Sequence, residues 1–310
     1  MSSGITTPLQ SQLIKSLALA WLMSENFRPV EKSRGHILTS IHRQKLSSSI
    51  VMGILNVTPD SFYDGSRRFN PDEAVKRGLE IWDSGAIWLD IGGESTRPGA
   101  EAVDVNEELR RVIPVIKKLK KIRPSGLISI DTRRSEVAIE AIKSGAQMVN
   151  DVSGLSDPKM IDVILETGCA VCIMHMQGLP ENMQENPNYR DCINEVSQFL
   201  FNRADELISK GHPRELVILD PGIGFGKKLH HNVDLLKEIE VLTKSSYSVM
   251  LGTSRKSMIG QITGKNDPKD RLAGTLATSA FAFYNKIDII RVHDVEENVD
   301  LLKVLNVLEN

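Results

Sequence analysis

At 310 residues, with 41% hydrophobic and 25% charged residues, the chain could hold two average domains and has the apolar content for a large core; disordered and collagen-like classes are excluded. Lys and Arg total 38 against 40 Asp and Glu, and this net charge of -2 gives no global field toward nucleic acid or a membrane, so any anion must be bound locally. Cys169, Cys172 and Cys192 are an odd count, which argues against a disulfide framework and fits a reducing, cytoplasmic setting.

In chain order, residues 1–48 read as an N-terminal extension. Lys15 followed by the apolar residues 17–23 has the outline of a weak signal peptide. The run is short for a membrane span, and Glu25 follows it without a small-residue cleavage site. Two readings stay open: a short amphipathic helix over residues 12–23, or an upstream extension with Met23 as the start.

From residue 49 onward, short β-branched runs alternate with amphipathic segments. The runs at 50–56, 87–91, 127–131, 148–151, 170–174, 216–220, 248–251 and 287–292 read as strands. Helices are expected over 71–84, 106–122, 135–144, 158–167, 192–210, 233–243, 269–285 and 295–307. The first has Asn70 as its cap, Pro71 at its first position and Asp72 and Glu73 at the positive end of the dipole, with Gly85 after it. Cys169 and Cys172 form a C-x-x-C, but the apolar run around them is that of a buried strand and no second ligand pair follows. Eight strands with eight helices predict one closed parallel (β/α)8 TIM barrel over 49–310. In that fold the chemistry lies in the loops that follow the strands.

Those loops are unusual. The first strand runs into Asn56-Val57-Thr58-Pro59-Asp60-Ser61-Phe62 and the second into Gly92-Gly93-Glu94-Ser95-Thr96-Arg97-Pro98-Gly99. Asp131 ends the third run, Asp151 ends the fourth with Asn150 next to it, Met174 ends the fifth, and the sixth passes into Asp220-Pro221-Gly222-Ile223-Gly224-Phe225-Gly226-Lys227. Gly252-Thr253-Ser254-Arg255-Lys256 follows the seventh, and Arg291-Val292-His293 closes the eighth. The three glycines after Asp220 lack the spacing of a dinucleotide or P-loop fingerprint. A lone Asn, Asp or His at a strand end is ordinarily a turn, cap or structural residue, and a lone Met or Phe is ordinarily core. Arg97 suits a carboxylate or phosphate, and strand alternation puts Arg291 and His293 on one side, where they make an anion site.

Together these strings resemble the dihydropteroate synthases over roughly residues 50–310. The resemblance implies a transferase that joins dihydropterin pyrophosphate to 4-aminobenzoate in folate biosynthesis, with Mg2+ held on the pyrophosphate through Asn56. It implies that Asp131, Asn150 and Asp220 meet the pterin edge, where carboxylates accept charge-strengthened hydrogen bonds. Met174 and Phe225 would form the pocket walls and Lys256 would face the pterin and substrate pocket. Thr96 and Arg97 would lie in a loop that closes over 4-aminobenzoate and the leaving group, and Ser254 would contact the aminobenzoate carboxylate. Arg291 and His293 would hold the pyrophosphate, and Arg255 is left to structural pairing or to supporting the residues that touch the substrates. The family also implies a homodimer, for which the stripe Ala273, Ala277, Ala280 and Phe281 is a candidate face that could equally pack on the barrel, and makes the chain a candidate sulfonamide target. Tyr63, Ser66 and Ile223 depart from the usual family wording. Methyltetrahydrofolate-dependent methyltransferases share the pterin-binding residues but lack the Thr-Pro-Asp-Ser-Phe and Ser-Thr-Arg-Pro-Gly strings. A non-catalytic barrel would not need the anion site complete.

Overall fold

The structure, a computed structural model, describes residues 49–58, 70–96, 99–100 and 102–309. The N-terminal extension, Tyr63, Ser66 and Arg97 lie outside the described residues.

Eight parallel strands close into one barrel in sequence order, β8 pairing back onto β1. The strands are β1 (Ile50–Asn56), β2 (Trp88–Gly92), β3 (Leu127–Asp131), β4 (Met148–Asp151), β5 (Ala170–Met174), β6 (Val217–Asp220), β7 (Ser248–Leu251) and β8 (Ile289–Val292). Helices α1 (Pro71–Asp83), α2 (Val105–Ile122), α3 (Ser135–Lys143), α4 (Met160–Thr167) and α5 (Cys192–Ser209) cover the first five crossovers. Asn70 caps α1 by accepting from the Asp72 N–H at 3.0 Å.

Three helical expectations need correction. The single helix expected over 233–243 is two, α6 (Leu229–Lys237) and α7 (Glu240–Thr243), the first starting four residues earlier than its apolar period suggests. The segment 269–285 begins with a 3-10 turn, Pro268–Arg271, capped by Asp267, before α9 (Leu272–Tyr284). An additional helix, α8 (Ser257–Thr263), follows β7 and ends at left-handed Gly264. The chain finishes with α10 (Val295–Glu309).

Two hydrophobic layers position the site. Outward-facing strand residues pack with the helices into one continuous cluster that includes Leu55, Leu89, Ile130, Val149 and Leu219. Inward-facing residues fill the lumen with a second cluster, including Met52, Trp88, Met148, Cys172, Ile218 and Met250. With a side-chain period of two, the positions two residues beyond this apolar plug also face the lumen. They include Asp90, Ser129, Asn150, Asp220 and Arg291, with Asp131, Asn56 and His293 one step higher. The apolar plug makes the lower lumen solid, so the polar mouth at the C-terminal ends of the strands is where a ligand can sit. Cys169, Cys172 and Cys192 are all buried and free, as expected of core cysteines.

Candidate active site

Asp90 is fully buried on β2. Its Oδ2 accepts from Arg291 Nε at 2.6 Å and from Asn150 Nδ2 at 3.1 Å. Arg291 Nη2 donates to Asp131 Oδ2 at 2.8 Å, so β2, β3, β4 and β8 are joined by one bonded unit across the lumen. Burial raises Asp131 above the usual carboxylate range; the Arg291 guanidinium opposes that rise, while Asp90, Glu108 and Asp151 add to it. For Arg291, burial works against the charge, but Asp90 and Asp131 outweigh it and shift the guanidinium further up, so it stays protonated.

On the far wall, Asp220 ends β6 and accepts from the Gly222 N–H at 2.7 Å. Burial raises its carboxyl, with the Lys256 charge as the main opposing influence. Lys256, half-buried at the start of α8, lies 4.4 Å from the Phe225 ring centroid and donates to the Ile223 carbonyl. Burial pulls its ammonium down to about 8, against the attraction of Asp220. Ser254 Oγ accepts from the His293 N–H at 3.2 Å and lies 3.0 Å from His293 Nδ1. Arg255, at φ +59, pairs with Asp294 through Nε at 2.9 Å, the structural pairing expected of it.

Glycines open the mouth. A Cβ at Gly252 would stand 3.9 Å from both Asp220 Oδ2 and the Arg291 Cβ, so the absence of a side chain there leaves space between the two walls. Met174, in register with Asp220 on the neighbouring strand, closes one side. Ile223, where the family often has Phe, is fully buried in the outer core and presents only its carbonyl to the site. The lost ring therefore changes packing behind the loop rather than the pocket wall.

Of the residues expected from the sequence, Asp131, Asn150, Asp220, Lys256, Arg291, Ser254, His293, Met174 and Phe225 all come to this mouth. Asn56, at the end of β1, makes no side-chain hydrogen bond among the described residues. Thr96 lies in the loop after β2, whose two ends are pinned together. Glu94 accepts from Arg133, from Arg134 and from the Val103 N–H, while Arg134 also donates to the Val103 carbonyl at 2.6 Å. Arg134 pairs in addition with the fully buried Glu108.

Three groups went unread in the sequence. Asp90 carried a usable signal, since a carboxylate at an inward position between Trp88 and Gly92 has no solvent to face. The Glu94–Arg134 clamp carried little, because its partners are forty residues apart. Lys227 looked like another loop cation, yet it is 3% exposed and burial pulls its ammonium down to about 7.

Residues 52–293 match the pterin binding enzyme family. The chain belongs to that family. Dihydropteroate synthase from Escherichia coli (strain K12) is 45% identical over 260 residues, covering 84% of this chain and 92% of the relative. Among solved structures, Xanthomonas albilineans dihydropteroate synthase with 4-aminobenzoic acid superposes with a TM-score of 0.80 at 42% identity, covering 85% of this chain and 94% of that one. Yersinia pestis dihydropteroate synthase in a sulfonamide drug complex gives the same TM-score at 40% identity, covering 85% and 95%. Within the pterin binding enzymes, the likeness is to dihydropteroate synthases throughout the barrel.

Proposed function

We propose that this chain condenses 6-hydroxymethyl-7,8-dihydropterin pyrophosphate with 4-aminobenzoate, giving 7,8-dihydropteroate and pyrophosphate. One observation carries the substrate side of this reading. Asp90 Oδ1 and Asn150 Oδ1 are buried acceptors with no donor among the described residues, and the Asp131 and Asp220 carboxylates are buried at the same mouth. Buried acceptors left unpaired are costly, so the mouth is built for a flat ligand rich in N–H donors, which the pterin amino and ring N–H groups supply.

The chemistry then follows from charge placement. The C–O bond to the leaving pyrophosphate breaks, the arylamine nitrogen bonds to the methylene carbon, and the amine loses a proton. Negative charge grows on the pyrophosphate, where Arg291, Lys256 and His293 offer donors, while the carboxylates of Asp131 and Asp220 oppose positive charge on the pterin. Holding the amine in line supplies the rest of the rate. Cys172 is inward-facing but plays no nucleophilic part, because burial pushes its thiol far up.

Asn56 fits Mg2+ in a limited way. Its amide, which has no side-chain hydrogen bond among the described residues, offers one hard oxygen, and no group of three His, Cys, Asp or Glu among the described residues forms a cage. That donor set suits an ion carried on a substrate pyrophosphate, with water filling the remaining positions. When bound, Mg2+ would neutralise leaving-group charge.

Thr96, Arg97 and Ser254 take the 4-aminobenzoate end, and a sulfonamide competes there, as the Yersinia pestis complex supports. The chain pairs as a homodimer through α9: Ala273 and Ala277 are exposed and Tyr284 is 62% exposed, while Ala280 and Phe281 of the expected stripe pack instead against the barrel's outer core and α10 adds exposed Val307 and Leu308. A monomeric mass in light scattering across a wide concentration range would refute this. No helix among the described residues is long and apolar enough to cross a membrane, and the free buried cysteines support a cytoplasmic setting. The activity is tested by giving the purified protein both substrates with Mg2+ and measuring dihydropteroate and pyrophosphate; a folded protein that releases neither contradicts it.

A further inference from the structure

Lys227 takes no part in the reaction above, yet its ammonium is fully engaged. Nζ lies 3.0 Å from His175 Nδ1, 3.2 Å from the His175 carbonyl, 3.0 Å from the Gly222 carbonyl and 3.0 Å from the Phe225 carbonyl. Among the described residues it has no carboxylate partner within ion-pair distance. A buried cation whose direct contacts are carbonyls and an imidazole nitrogen, with Asp220 acting on it only at longer range, is placed to organise backbone.

The backbone it organises is the loop after β6. Gly222, Gly224 and Gly226 all have left-handed φ, at +67, +84 and +60. The carbonyls of residues 222–226 each meet a side-chain donor. Lys227 takes those of Gly222 and Phe225, Lys256 takes Ile223, Gln184 Nε2 donates to Gly224 at 2.6 Å, and Tyr189 Oη donates to Gly226 at 2.8 Å. The third anchor of Lys227 is His175, immediately after β5, and a Cβ on Gly222 would come within 1.9 Å of the His175 carbonyl. The loop is thus pressed onto the end of β5, with Lys227 as the tie between them.

We infer that Lys227 is a positioning residue for the pterin half of the site. Its buried ammonium ties residues 222–225 to the end of β5, so that the Ile223 carbonyl and the Phe225 ring hold Lys256 toward Asp220. This inference rests on the reading that Asp220, Phe225 and Lys256 meet the pterin. It predicts a division that a purely structural lysine would not produce. The 4-aminobenzoate position draws on Ser254 and on the loop after β2, and Lys227 hydrogen-bonds to neither among the described residues.

The test compares Lys227→Met, Lys227→Gln and Tyr189→Phe with wild type in steady-state kinetics, alongside calorimetry with a pterin that lacks pyrophosphate. Lys227→Met removes every donor and is expected to raise the KM for the pterin substrate and the pterin Kd by about tenfold or more, one unmade set of buried hydrogen bonds. The KM for 4-aminobenzoate at saturating pterin substrate should stay within about threefold. Lys227→Gln, whose amide restores two donors, should recover most of the loss. Tyr189→Phe, which frees only the Gly226 carbonyl, should shift the same two constants by no more than about threefold. Equal losses for both substrates, or unchanged pterin affinity in folded Lys227→Met, would overturn the inference. Should Lys227→Met fail to fold, Lys227→Ser, too short to reach the carbonyls of Gly222 and Phe225, takes its place on the same pterin-selective criterion. A wild-type protein that binds pterin but makes no dihydropteroate would instead overturn the proposed activity, leaving the pterin calorimetry to test Lys227 by itself.

Discussion

Arg291 donates through Nη2 to Asp131 Oδ2 at 2.8 Å, so the cation assigned to the leaving group and the carboxylate assigned to the pterin edge form one bonded unit. The sequence presents them as separable halves, 160 positions apart. Their contact means that removing either disturbs the other.

Arg291→Ala strips Asp131 and Asp90 of their shared cation and is expected to weaken binding of a pterin without pyrophosphate as well as of pyrophosphate itself. Breaking a buried pair costs about 3–5 kcal/mol; the Arg291 side chain is 19% exposed, so about 2–4 kcal/mol of stability should be lost. The double variant with Asp131→Asn should lose less than the sum by about 1–2 kcal/mol in urea unfolding. Strict additivity would show that the two residues act independently.

Asp151 gives a pH signature. Burial pushes its carboxyl up to about 6, against hydrogen bonds from Ser153 and the Leu155 N–H. A raised folded-state pKa favours the protonated fold, so the associated stability is full below pH ~4 and is lost as pH rises through about 6. Relative to Asp151→Asn, wild type should therefore lose about 2 kcal/mol between pH 4 and pH 8. Melting curves at the two pH values check it, and a difference of the opposite sign would refute the burial argument.

Two glycines with left-handed φ should respond differently to alanine. At Gly99 nothing lies within 4 Å of a new Cβ, and only the backbone preference is lost, about 1–2 kcal/mol. At Gly222 the His175 carbonyl blocks the Cβ as well, so Gly222→Ala should destabilise the protein far more and abolish pterin binding. Similar melting temperatures for the two variants would contradict this account of the loop.

Metal dependence should require the substrate. With Asn56 as the sole protein oxygen assigned, a Mg2+ titration of the free protein should show no heat of binding, and saturable binding should appear once pyrophosphate is added. Asn56→Ala should reduce that second heat. Tight Mg2+ binding to the free protein would point to a protein cage that the described residues do not contain.

The barrel was legible because buried parallel strands are short apolar runs and their helices carry caps and periodicity; five of the strands, such as 127–131 and 170–174, fall where their apolar runs do. Helix starts without an apolar signal were not: α6 opens on Leu229-His230-His231, polar enough to read as loop, and α8 is too short for a period to show. Inward strand-end residues such as Asp131 and Asp220 were visible as polar interruptions of apolar runs. Their partners were not, because the Arg291–Asp90 contact spans 201 positions and only barrel closure brings it about. Lys227 was missed for a related reason: a lysine in a glycine loop looks solvated until β5 is seen beneath it.

The most direct measurement is product formation by wild type and by Asp220→Asn and Asp131→Asn variants of confirmed fold, with dihydropteroate and pyrophosphate quantified together. The account predicts equal amounts of the two products from wild type, dependence on both substrates, and a rate lowered by about tenfold or more in each variant as a charged partner of the pterin is lost. Wild-type protein that releases neither product, or variants that match wild type, would contradict the placement of this chemistry at the lumen mouth.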